Sequence, residues 1–167
     1  MPKQFRLWGT CCAHVASDLQ FGRESLADAF RQSEQGGDEG GPAFDWDIAV
    51  NLGDFSGARY NTPVDEEGEE IVRQFSALQK HKREQIYTVC GNHDRNAPDD
   101  DEAWWFQKWI DPMGENTAFS GVDRSAYPYP VEGTWERYSF RAGNLLFLMM
   151  SDINESSLPK GRGELGG

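Results

Sequence analysis

The chain has 167 residues, 38% of them hydrophobic and 26% charged, and 28 acidic against 16 basic side chains give a formal charge of -12. That length suits one modest domain, which buries about 70% of the surface its unfolded chain exposes. The acidic field argues against unaided binding to a nucleic-acid backbone.

No run approaches the roughly 20 apolar residues of a membrane span, and Met1-Pro2-Lys3-Gln4 leads into a strand without an apolar leader. The expectation is a cytoplasmic protein with no membrane partner. Three cysteines, two of them adjacent, make no disulfide framework. Cys11 is expected to be packed. An extended backbone would turn Cys12 to the opposite face.

The first strand is expected over Phe5 to Thr10, followed by a helix from Asp18 to Gln32 whose broken apolar face is Leu19, Leu26, Ala27 and Phe30. Gly22 weakens its first part, so regular helix is expected from about Arg23. Ser33 to Pro42, with four glycines and three acids, reads as a loop. Asp45 to Leu52 reads as a second strand, apolar over Ile48 to Leu52 as in a sheet covered on both faces. Gly57 to Pro63 is a second loop.

Glu66 to Lys80 has Ile71, Phe75 and Leu78 at helical spacing, and the basic run Lys80-His81-Lys82-Arg83 suits a helix C-terminus. His81 is expected on a solvated face. Ile86 to Cys90 is the third strand, with Cys90 a reduced core residue. Strands and helices alternating through crossovers imply a parallel α/β core.

Asp99 to Glu102 precede the aromatic run from Trp104 to Trp109 and read as helix-capping acids. The aromatics, like Tyr127 and Tyr129, are expected to pack. Met113 to Thr134 is irregular. Trp135 to Arg141, the turn Ala142-Gly143-Asn144 and Leu145 to Met150 then read as a hairpin with the second strand the more buried.

Potential ligands fall at three strand ends, where sites form in open α/β sheets. Cys12-Ala13-His14 follows the first strand, Gly53-Asp54 the second and Gly91-Asn92-His93-Asp94 the third. Taken singly, Asp54 could cap a helix, Asn92 could be a turn residue and His14 could be structural. Their joint placement favours a site.

These blocks, with the hairpin Tyr138 to Leu148, resemble the calcineurin-like metallophosphoesterase superfamily, which includes purple acid phosphatases and many phosphodiesterases. The resemblance implies the N-terminal half of a two-sheet α/β sandwich. It also implies hydrolysis of a phosphate monoester or diester by a metal-bound hydroxide. Asp54 would bridge two metals, His14 would ligate the first, and Asn92 would ligate the second through its side-chain oxygen. His93 would face the phosphate and protonate the leaving group, while Asp94 would orient His93 or shape the loop.

The family's first block carries aspartate where this chain has Cys12. A thiolate ligand would favour Zn or Fe over Mg, with Mn also in range. A second reading makes Cys12 a small buried residue in a site that has lost one metal. The family completes its centre with later histidines, including a Gly-His-x-His block. Here the histidines are His14, His81 and His93. Asp152 is expected to be structural.

Residues 1–167 are therefore expected to form an incomplete domain, finished by a missing or separate C-terminal segment that carries the remaining ligands. Other readings are a shortened one-metal member and a non-catalytic binding or assembly module.

Overall fold

The computed structural model describes residues 4–37, 41–57, 63–95 and 103–151. Asp99 to Glu102, Asp152 and Gly161 to Gly167 lie outside the described residues.

Strands β1 (Leu7–Thr10), β2 (Ile48–Asn51) and β3 (Ile86–Thr88) form a parallel sheet with β2 in the middle. Leu7 pairs with Ile48, and Asn51 pairs with both Thr10 and Thr88, so the three strands finish at the same end of the sheet. Helices α1 (Val15–Phe21) and α2 (Ser25–Gln35) make the first crossover, and α3 (Asp65–Phe75) makes the second. A π-helix at Phe106–Ile110 and the short helix α4 (Thr117–Ser120) follow. Strands β4 (Glu132–Gly133), β5 (Arg137–Ala142) and β6 (Leu145–Met150) then form a second, antiparallel sheet.

Alternation along the first sheet divides the core in two. Ala49 and Ile86 turn to the helices and pack with Phe30, Trp46, Phe55, Ile71, Phe75 and Trp105. Their neighbours Ile48 and Tyr87 turn to the other face and pack with Tyr138, Phe140 and Met149 of the second sheet. The Tyr87 and Phe140 rings stack at 3.8 Å, and the Tyr138 hydroxyl donates to the Thr88 carbonyl at 2.7 Å. Burying a side chain such as Phe140 contributes about 1.5–3 kcal/mol. The architecture is an α/β sandwich of two sheets with helices on the outer face of the first.

Several elements differ from the sequence expectation. The first helix is two, because Gly22 adopts a left-handed φ of 63° and closes α1 by donating its N–H to the Asp18 carbonyl. The Asp18 carboxylate then accepts the Ser25 N–H and hydroxyl, while Gln74 Oε1 accepts the Leu26 and Ala27 N–H groups. These contacts satisfy the free donors that begin α2.

The basic run does not close α3, which ends at Phe75. Lys80 Nζ instead donates to the Glu34 carbonyl near the end of α2, and Arg83 donates to the Trp109 and Ile110 carbonyls at the end of the π-helix. The cation-at-a-C-terminus principle holds, but for two other helices.

His81 is buried, not solvated. Its ring stacks on Trp46 at 3.6 Å, with Nδ1 2.9 Å from Glu34 Oε1 and Nε2 2.8 Å from the Trp46 carbonyl. The Glu34 carboxylate also accepts the N–H groups of Gln79, Lys80 and His81. Burial pushes its carboxyl upward, but these donors and the imidazole outweigh burial and hold it below its ordinary value.

The burial of the hairpin is the reverse of the expectation. Tyr138, Phe140 and Ala142 of β5 face inward, whereas β6 exposes Leu145, Leu146, Leu148 and Met150. Among the described residues β6 pairs only with β5, so its apolar side chains reflect a covered strand by composition while the described chain leaves them open. The aromatic run packs as expected: Trp105, Phe106 and Trp109 are buried, and Trp105 Nε1 donates to the Val64 carbonyl at 2.8 Å. Trp104 remains partly exposed.

Candidate metal centre

Beyond Thr10 and Asn51 the first two strands stay together as loops. Cys12 N–H donates to the Gly53 carbonyl at 3.0 Å, His14 N–H to the Asp54 carbonyl at 3.2 Å, and Val15 N–H to the Phe55 carbonyl at 2.8 Å. Cys12, His14 and Asp54 have φ values of 59°, 50° and 58°. Left-handed backbone is disfavoured for residues with a Cβ and tends to persist where the surroundings impose it, commonly at functional sites. The Asn51 side chain accepts the Gly53 N–H at 2.8 Å and fixes the turn that presents Asp54.

The third strand end is fitted against the second. A Cβ at Gly53 would overlap the Gly91 backbone, and one at Gly91 would overlap the Asp54 carboxylate and N–H. Both positions therefore have to be glycine for the loops to approach this closely. Across the junction, Asp54 Oδ1 accepts the His93 N–H at 3.0 Å. The residue that follows β6 braces the same strand end, because Ser151 Oγ accepts the Cys90 N–H at 2.9 Å.

Asp94 lies beneath this junction, fully buried. Its Oδ1 accepts from the Phe55 and Ser56 N–H groups, and its Oδ2 from the Asp54 and Gly91 N–H groups, all within 2.7–3.0 Å. Burial pushes the Asp94 carboxyl up to about 7, with the Asp54 charge adding to the rise and the backbone donors opposing it.

One cluster results. A Cys12 sulfur, a His14 ring nitrogen and an Asp54 carboxylate oxygen lie within 4.8 Å of one another. Among the described residues, His14 Nε2 is buried with no hydrogen-bond partner. A buried polar atom without a partner is costly, and an imidazole beside a thiol and a carboxylate fits a cation. The residues therefore suit a metal ion, with one sulfur, one nitrogen and one oxygen donor.

The Cys12 thiol is raised to about 11, first by its hydrogen bond with Cys11, then by burial and by the negative charges of Asp54 and Asp94. An incoming cation would reverse that balance and displace the proton. The His14 and His93 rings lie 5.1 Å apart at 40°. Asn92 and His93 are half-buried on the loop that holds Asp54.

The calcineurin-like phosphoesterase family model matches residues 14–158. The chain belongs to this family. No curated protein and no solved structure matches it. In this calcineurin-like phosphoesterase the matched span starts at His14, so the Cys11-Cys12 doublet lies just outside it.

Cys11 corrects the sequence expectation, being exposed rather than packed. The positive φ at Cys12 breaks the extended backbone that would have sent the two side chains to opposite faces, and their sulfurs lie 3.1 Å apart. Cys12 is also exposed, which overturns the reading of it as a buried filler. The adjacency of the two residues was the available signal; the backbone turn that unites them has no sequence signature. Cys90 is buried, as expected. Among the described residues, no helix is long and apolar enough to cross a membrane.

Proposed function

We propose that the chain provides the metal-binding half of a phosphoesterase that hydrolyses a phosphate monoester or diester. One observation carries the reading: Cys12, His14 and Asp54 converge within 4.8 Å in a calcineurin-like phosphoesterase. Cys12, His14 and Asp54 would hold a first metal, and Asp54 with the side-chain oxygen of Asn92 would hold a second. The sulfur donor favours Zn or Fe over Mg, with Mn also in range. Bound there, the metals supply Lewis acidity toward the phosphoryl group and lower the pKa of water.

His93 would bind the phosphate and hold a proton for the leaving group, as a positioned imidazole can. Asp94 acts as a positioning residue through the backbone of Asp54 and Gly91. Two protein ligands hold a metal poorly, so the second position calls for imidazoles from a complementary C-terminal segment or chain. The free cysteines are in keeping with a reducing, cytoplasmic setting.

Metal analysis beside turnover of an aryl phosphate tests this reading, with His93→Ala and Asp54→Ala in parallel. Bound metal with turnover lost in both variants supports the enzyme. A complete assembly that takes up no metal defeats it.

A further inference from the structure

We propose that Cys11 and Cys12 form a redox-responsive dithiol that controls whether the centre keeps its metal. The inference rests on the metal reading above and adds a residue and a regulation to it. Both thiols are exposed, and their sulfurs lie 3.1 Å apart, with the Cys12 S–H donating to Cys11. A disulfide bond is about 2.05 Å long, so the two sulfurs need to close by only about 1 Å. Cys90 is buried and offers no competing partner at the surface.

The oxidant is a peroxide. In the metal-loaded protein Cys12 would already have given up its proton; its sulfur then attacks one peroxide oxygen, the O–O bond breaks, and Cys12 becomes a sulfenic acid as hydroxide leaves. The Cys11 sulfur then attacks the Cys12 sulfur, the S–O bond breaks, and the departing oxygen takes up the Cys11 proton to leave as water. Two sulfurs lose two electrons between them, and the peroxide is reduced to water and hydroxide. The product sulfur carries no charge, so the cluster falls to His14 and Asp54. Loss of a direct ligand should lower metal affinity by more than the roughly 10–100-fold that loss of an outer partner costs.

Adjacent residues have Cα atoms about 3.8 Å apart, shorter than the usual 4.4–6.8 Å across a disulfide. Such a bridge is strained and readily reduced. The cycle is therefore reversible: a thiol reductant restores both sulfurs and the metal site.

The test uses the full chain, reduced and loaded with zinc, then titrated with hydrogen peroxide. Released zinc is read with a chromogenic chelator and the sulfur chemistry by peptide mass mapping. The expected result is zinc release in step with a Cys11–Cys12 link, and zinc uptake again after reductant. Cys11→Ser should bind zinc like the parent, yet form no link, and its Cys12 should proceed to higher acids that reductant does not reverse. Zinc loss without the link, or the link with zinc retained, overturns the proposal while leaving the metal centre intact. Failure of both reduced proteins to bind zinc overturns the metal centre and this inference with it.

Discussion

The Asp94 carboxylate accepts the backbone N–H of Asp54 at 2.9 Å, so the residue after His93 sets the position of the cluster's carboxylate. The same Oδ2 accepts the Gly91 N–H, locking the second and third strand ends to one side chain. Asp94→Asn keeps the shape but turns one oxygen into an NH2 group that faces N–H donors. The variant should lose about 1–3 kcal/mol of stability for unsatisfied donors, together with much of its metal uptake. Urea denaturation and metal stoichiometry measure the two effects, and a variant as stable as the parent would show that Asp94 does not hold the junction.

Gly91→Ala probes the close approach without invoking backbone strain, because Gly91 is not among the glycines with positive φ. Its new Cβ would press on the Asp54 carboxylate. Overpacking of this kind costs about 1–3 kcal/mol, and here it should also displace a ligand. Gly9→Ala in β1 is the control, since no atom of the described residues lies within 4 Å of its Cβ position. Thermal denaturation should separate the two variants clearly; equal melting temperatures would argue that the loops can part without cost.

Cys12→Asp replaces the sulfur donor by oxygen at the same backbone position. Metal preference should move from Zn or Fe toward Mn and Mg, because harder cations prefer carboxylate oxygen. Competition among these ions, read by elemental analysis of the bound fraction, checks the direction. An unchanged preference would mean that Cys12 is not a ligand.

Stability should depend on pH through Glu34. Its carboxyl is held below the ordinary value of 4.5 in the folded chain. A carboxyl depressed in this way adds stability that is fully present above the unfolded value and lost as pH falls through the folded one. The stability advantage of the parent over Glu34→Gln should therefore be steady near neutrality and shrink below about pH 4.5. Urea midpoints across that range test it, and a gap that widened on acidification would reverse the sign.

Sequence patterning located the parallel strands and their ligand-bearing ends because apolar runs closed by glycine are local signals. Asp54 and the Gly91-Asn92-His93-Asp94 turn stand out for that reason. Helix ends were less legible: Gly22 splits one helix, and the Lys80 and Arg83 donors serve helices distant in sequence. His81 looked solvated among lysines and arginines, yet its nearest partners are Trp46 and Glu34, separated from it by 35 and 47 residues.

By itself the sequence determined the α/β class, the family and which residue types reach the strand ends, all of which rest on short-range order. Tertiary structure decided how those ends meet. The positive φ at Cys12, the overlap that forbids a side chain at Gly91 and the N–H groups of Asp54, Phe55 and Ser56 gathered by Asp94 each depend on segments brought together only by folding. The Gly91-Asn92-His93-Asp94 turn could be read as chemistry in one dimension; that its last carboxylate holds the neighbouring loop could not, because the donors lie about 40 residues upstream.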